Sequence, residues 1–286
     1  PKGLVQLAEA VRAVGSVSQA LVTMPFISSN GRHIYYERHG QGPAVVFLHG
    51  AGSNGATWWQ QLPVFKAHFT CILMDIRCFG RSVAPAAEFT LPNFVNDLLA
   101  VLDHEKIDQA SIVGQSLGGM IGLKSALQHP RRIKSFVACD TSMALDHPRQ
   151  VQIIHDRLRA VAGMAIEQRS LGQWFLKNKP AHAALYAQIN HFNPSAHSIP
   201  ENEWKAAMNN LNTGEALTPM AQLKDVACPV LLLVGREDPI VPIDIMQEVQ
   251  RLIPNSELTV VDNAAHSAYF EQPDVFNERV LAFLLR

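Results

Sequence analysis

From residue 32 onward, short apolar runs of strand length alternate with longer stretches of helical period. This alternation restricts the chain to βα units stacked on a largely parallel sheet, because each strand of such a sheet is buried on both faces. Arg32–His39 reads as a strand, since Ile34 and Tyr36 alternate with polar neighbours, and Asn30-Gly31 before it is a turn signal. The further strands are expected at Ala44–Leu48, Thr70–Met74, Ala110–Val113, Ile133–Cys139, Val230–Val234 and Glu257–Val261. Helices are expected at Leu91–Leu102, Leu117–Gln128, Ile243–Ile253 and Pro273–Leu285, with Pro130 and Pro254 placed to stop two of them.

The alternation breaks once. From Ser142 to Leu223 no strand-like run occurs, and Val151–Val161, Ala165–Leu176, Ala181–Ile189 and Glu201–Leu211 are helical in pattern. The chain therefore divides into a core of residues 24–141 and 224–286 and an inserted helical cap of residues 142–223. Residues 1–23 form a third part. Leu4, Leu7, Ala8, Val11 and Val14 recur at helical spacing, while Glu9 and Arg12 interrupt any signal-peptide core. A helical extension is expected there, packed on the domain or on a partner subunit, so a homo-oligomer is left open.

Composition narrows the function. Apolar residues make up 48% of the 286, enough for a large core, and 24 basic residues face 25 acidic ones. That balance gives no basic face for nucleic acid. No apolar run approaches the ~20 residues of a membrane span. The four cysteines show neither CxxC pairing nor metal-type spacing, so buried thiols in a reducing compartment, the cytoplasm, are expected.

The main chemical signal is Gly114-Gln115-Ser116-Leu117-Gly118. The bare G-x-S-x-G pattern occurs by chance about 0.1 times in such a chain at ~7% per residue type. The context is what counts: a strand precedes it and a helix follows. A serine on a tight strand-to-helix turn holds its Oγ above the sheet, and the helix N-terminus turns N–H groups towards a developing oxyanion. Phe47-Leu48-His49-Gly50-Ala51-Gly52, after another strand, has a glycine-rich loop able to supply a second donor. The N–H groups of Ala51 and Leu117 are therefore expected to form the oxyanion hole, with Gly52 as substitute for Ala51 and His49 as a loop anchor.

Gly235-Arg236-Glu237-Asp238-Pro239 follows one strand, and Asn263-Ala264-Ala265-His266 lies in the loop after the next. An acid at the C-terminal end of a parallel strand points into the crevice where ligands bind. A loop histidine near the serine is placed to take its proton. Ser116, Asp238 and His266 are the expected catalytic set, in the chain order Ser…Asp…His. Glu237 is adjacent, and Asp140 also ends a strand, so both stay open as the acid.

These motifs resemble the α/β-hydrolase superfamily from about Gly31 to Arg286. The segment Asp75–Ser82 is similar to the D-x-R-G-x-G-x-S loop of its single-cap members, which include 3-oxoadipate enol-lactonases, carboxylesterases, cofactor-free haloperoxidases and carbon–carbon bond hydrolases. Cys78 departs from that pattern, where glycine is usual, and a cysteine is strained if the position needs positive φ. Members that proceed through an alkyl-enzyme ester have aspartate where Ser116 stands. The resemblance implies a serine hydrolase without metal or organic cofactor, acting on a small-molecule substrate through an acyl-enzyme. The leading expectation is a small to medium carboxylic ester or lactone, largely uncharged. The alternatives are carbon–carbon bond hydrolysis in a ring-cleavage product, for which Arg77 and Arg81 are candidate anion ligands, and a non-catalytic ligand receptor. Trp58, Met120, Trp174 and Phe175 are the candidate walls of an apolar pocket.

Overall fold

The computed structural model describes residues 26–286 apart from 162, 195, 196 and 198. The helical extension expected over residues 1–23 lies outside the described residues.

The sheet has eight strands: β1 (Phe26–Ser29), β2 (Arg32–His39), β3 (Ala44–Leu48), β4 (Thr70–Met74), β5 (Ala110–Gln115), β6 (Ile133–Cys139), β9 (Val230–Gly235) and β10 (Ser256–Val261). Their order is β1-β2-β4-β3-β5-β6-β9-β10. β1 and β2 run antiparallel to their neighbours, and the remaining pairs are parallel. The turn signal at Asn30-Gly31 joins β1 to β2, both residues having the positive φ (47° and 75°) of a tight hairpin. The strand before that turn was not anticipated; its four residues, Phe-Ile-Ser-Ser, are too few to carry a periodic signal.

Along β3 the side chains divide between the two faces. Val46 and Leu48 join the cluster formed with helices α1 (Leu91–His104), α2 (Leu117–Gln128) and α8 (Ile243–Leu252), whereas Val45 and Phe47 join Trp58, Phe65 and helix α10 (Pro273–Leu284) on the other. Both faces are covered, which is why these strands read as continuous apolar runs. The chain winds from β3 to β4 in one direction and returns to place β5 on the other side of β3. The C-terminal ends of β3 and β5 thus flank a switch point, where a crevice opens above the sheet.

Between β6 and β9 lie α3 (Pro148–Ala160), α4 (Ile166–Ser170), α5 (Gln173–Asn178), α6 (Pro180–His191) and α7 (Glu201–Asn210). Two features differ from the sequence expectation. The stretch contains a two-residue parallel pair, β7 (Leu145–Asp146) with β8 (Thr218–Pro219), which ties its two ends together and is too short to show a period. The single helix expected over Ala165–Leu176 is two helices, because Leu171 and Gly172 are extended (ψ 146° and 156°) and the Gly172 N–H bonds to Glu271 instead of to a helical carbonyl. A short helix α9 (Ala268–Glu271) precedes α10.

Candidate active site

Ser116 occupies the β5–α2 turn with φ 50° and ψ −108°, outside the regions an L-residue favours. Such an outlier persists only where its surroundings over-determine it, and here they do. The Ser116 N–H donates to Cys139 O at 3.0 Å, and the Thr141 hydroxyl donates to Ser116 O at 2.6 Å. The two glycines of the motif are needed for clearance. A Cβ on Gly114 would stand 2.3 Å from Gly118 O, and one on Gly118 would stand 2.1 Å from Leu48 O. The turn is thereby packed against both its own helix and the end of β3.

His266 hangs from the loop between β10 and α9. Its Nε2 is 3.0 Å from Ser116 Oγ and its Nδ1 is 2.9 Å from Asp238 Oδ2. The other Asp238 oxygen accepts the N–H groups of Ile240 and Val241 at 2.8 and 3.2 Å, so Oδ2 is left for the histidine. An ionised Asp238 only accepts, which assigns the proton to Nδ1 and leaves the Nε2 lone pair for the serine hydroxyl. The Asp238 side chain is fully buried and that of His266 nearly so. Burial lowers the His266 pKa, but the charge and hydrogen bond of Asp238 outweigh it and leave the imidazole above its ordinary value of 6.5. The arrangement can pass a proton from Ser116 to His266 and hold the resulting imidazolium against a carboxylate.

Asp140, the alternative acid, is not bonded to the histidine. Its oxygens accept the N–H groups of Gly235 and Ala268, both at 2.8 Å, and the Cys139 thiol lies 3.2 Å from Oδ2. Burial, reinforced by the nearby Asp238 charge, raises its pKa to about 7. Asp140 therefore braces the start of the Asp238 loop and of α9 from beneath. Glu237, the other acid left open, is turned to the N-terminus of α5, where it accepts the Gln173 N–H at 3.0 Å.

Among the described residues, the N–H groups of Ala51 and Leu117 have no backbone acceptor, as an oxyanion-binding pair requires. His49 is a buried anchor, donating from Nδ1 to Gly50 O at 2.8 Å and accepting the Ile76 N–H on Nε2 at 2.9 Å. Burial lowers its pKa, so it stays neutral.

The expected pocket walls separate. Met120 is buried one helical turn beyond Ser116. Trp58 is a correction: it is fully buried between Phe47, Tyr269 and Phe276, with ring centroids at 5.3, 4.4 and 6.2 Å, and is core packing. Trp174 is 36% exposed, while its neighbour Phe175 is buried against Phe270. The arginines proposed for a dienoate are also committed elsewhere. Arg77 is buried in an ion pair with Asp97 at 2.6 Å and with Glu88, and Arg81 lies over the Tyr35 ring beside Asp75. Cys78 does adopt positive φ (73°), and burial pushes its thiol up to about 12, away from the thiolate that a nucleophile needs.

Three supports were not read from the sequence. Gln115 donates to His266 O at 2.6 Å. Ser170, from the inserted stretch, accepts the His266 N–H at 3.1 Å. Glu271 accepts the N–H groups of Ala265, Ser267 and Gly172 at 2.9, 3.2 and 2.7 Å. Gln115 stands beside the motif serine and was the one accessible signal; the others depend on contacts between segments far apart in the chain or on an unmarked loop.

With this geometry in view, a family model described as alpha/beta hydrolase fold matches residues 43–273, and the chain belongs to the α/β-hydrolase family. Among curated relatives, 3-oxoadipate enol-lactonase 2 of Acinetobacter baylyi is 26% identical over 85% of this chain and 89% of its own. The pimeloyl-acyl-carrier-protein methyl ester esterase of Aeromonas hydrophila is 28% identical over 87% and 98%. Among solved structures, Est816, described as an N-acyl homoserine lactone degrading enzyme, superposes with a TM-score of 0.77 at 28% identity, covering 91% of this chain and all of that one.

Proposed function

We propose that this protein is a serine hydrolase that cleaves a small to medium carboxylic ester or lactone through an acyl-enzyme intermediate. The observation that carries the reading is the unbroken hydrogen-bonded line from Ser116 Oγ through His266 to Asp238, built on a strained turn at the mouth of the crevice. The names of the relatives, a lactonase and a methyl ester esterase, agree with it.

Ser116 Oγ attacks the carbonyl carbon as its proton passes to His266 Nε2. The carbonyl oxygen becomes an oxyanion held by the Ala51 and Leu117 N–H groups. Collapse of the tetrahedral species breaks the ester C–O bond, and the imidazolium returns the proton to the departing alcohol, or to the ring-opened hydroxyl of a lactone. Water then loses a proton to His266 as it attacks the acyl carbon, and the imidazolium returns that proton to Ser116 Oγ as the Oγ–acyl bond breaks and the acid leaves. Asp238 keeps Nδ1 protonated and stabilises the transient imidazolium.

Residues 142–223 act as a cap over this chemistry. The reading is supported by three contacts: Ser170 with the His266 N–H, Asn193 with Gly52 O at 2.8 Å, and Ile166, whose Cδ1 would be 3.5 Å from a Cβ on Gly52. A cap touching both the oxyanion loop and the histidine loop positions a scissile bond as well as covering it.

The test is chemical labelling with turnover. A fluorophosphonate is expected to modify Ser116 alone, and Ser116→Ala is expected to lower kcat on a p-nitrophenyl ester by roughly 10³- to 10⁶-fold with the fold intact. Near-normal turnover in that variant, or labelling at another residue, defeats the assignment.

A further inference from the structure

In the inserted stretch, two arginines share one place beside the histidine. Arg157 on α3 donates from Nη2 to the carbonyl of Arg169, at the end of α4, at 2.7 Å. Helix α4 bridges the site. Ile166 stands over Gly52, Ser170 accepts the His266 N–H, and Arg169 lies on the same helical face, three residues after Ile166.

The two guanidinium groups lack acid partners. The Nε atoms of both are out of solvent and make no hydrogen bond, and neither side chain enters an ion pair among the described residues. The exposed Arg149 and Arg159 and the buried Arg77, by contrast, each meet a carboxylate. Glu167 is the carboxylate whose charge bears on Arg169, and it forms no ion pair among the described residues. Arg157 is close enough to His266 for its charge to oppose protonation of the ring.

Two part-buried cations held close together with no anion repel each other, and a buried donor left without an acceptor adds to the cost. A ligand anion removes that cost. The planar fork of a guanidinium matches the two oxygens of a carboxylate side by side.

We infer that Arg169 and Arg157 form a carboxylate-binding subsite of the Ser116 cleft, so that the ester or lactone cleaved here carries a free carboxylate on the part that reaches under the cap. This rests on the hydrolase reading above and departs from the expectation of an uncharged substrate. The carboxylate would orient the scissile carbonyl from the far end, leaving the Ala51 and Leu117 N–H groups to the carbonyl oxygen.

The assay compares monomethyl glutarate with dimethyl glutarate, in which a second methyl group removes that charge. Wild-type protein is expected to show the higher kcat/KM for the monoester. Arg169→Met lowers the monoester-to-diester ratio by roughly 10- to 100-fold, the worth of a charge-assisted hydrogen bond. Arg169→Lys restores part of it, and Arg159→Met, at an exposed arginine paired with Asp156, leaves the ratio as it was. An unchanged ratio in Arg169→Met overturns the subsite. Calorimetric binding of both esters to Ser116→Ala protein, with and without Arg169→Met, reads the subsite apart from turnover. Monoester binding that needs Arg169, in a wild type that hydrolyses neither ester, refutes the hydrolase reading and keeps the subsite. Should Arg169→Met fail to fold, salt decides: monoester binding must weaken with ionic strength while diester binding does not. Equal affinity for the two esters in the intact protein rejects the proposal.

Discussion

Glu271 is the only carboxylate that touches both the histidine loop and the inserted stretch among the described residues, and its replacement gives a graded test of how the site is held. One oxygen accepts Ala265 N–H and Ser267 N–H, the residues on either side of His266, and the other accepts Gly172 N–H, where α4 and α5 are separated. Glu271→Gln keeps the shape but one acceptor becomes an amide nitrogen. The orientation that preserves the two loop bonds sets a donor against the Gly172 N–H, at about 1–3 kcal/mol. Glu271→Ala leaves all three N–H groups without their acceptor; with some water entering, about 3–5 kcal/mol is expected. For 286 residues the unfolding entropy is about 0.6 kcal/mol/K, so Tm falls by roughly 2–5 °C for Gln and 5–8 °C for Ala. Activity falls as well, because a displacement of ~1 Å in a catalytic group costs on the order of 10²-fold in rate. Burial raises the Glu271 pKa to about 8 from 4.5. Between those values the native protein binds a proton the unfolded chain has lost, so stability falls as pH rises across that window. Scanning calorimetry from pH 5 to 8.5 on wild type and both variants, with kcat on one ester, measures all of this. A Glu271→Ala protein melting within 1 °C of wild type with unchanged kcat, or a Glu271→Gln protein with the wild-type slope of Tm against pH, would falsify the role.

Asp238→Asn is expected to lower kcat by on the order of 10⁴-fold by removing the acceptor that sets the histidine tautomer. Asp140→Asn, which disturbs the Gly235 and Ala268 bonds instead, should cost stability and far less rate; steady-state kinetics and thermal melts of the two variants separate these, and a reversed order means the acid is misassigned. Because His266 must be neutral to accept the serine proton and its pKa is raised, kcat/KM should fall on the acid side with an apparent pKa above 6.5; a limb below 6.5 contradicts the coupling to Asp238. Cys78→Gly relieves a positive φ at the loss of a small buried thiol, effects of about 1 kcal/mol each and of opposite sign, so activity and Tm should stay close to wild type; loss of most activity in a folded variant gives the cysteine a role.

The sequence by itself determined whatever depends on neighbours along the chain. The βα alternation specified a parallel sheet, because strands covered on both faces must be apolar throughout. Gly114–Gly118 between a strand and a helix located Ser116, and Asn30-Gly31 located a hairpin turn. The run of helices between β6 and β9 was visible because it interrupts a period. Tertiary structure decided what depends on direction in space. Asp140 and Asp238 both end parallel strands, and only the fold turns one towards His266 and the other under it. Trp174 and Phe175 are adjacent and both aromatic, yet only Phe175 is buried, because Phe270 packs against it. Trp58 went to the core because three aromatic rings from distant segments enclose it. Glu271, Arg157 and Arg169 carry no local signature at all; a charged residue on a helix reads as solvated until the chain folds and removes the water around it.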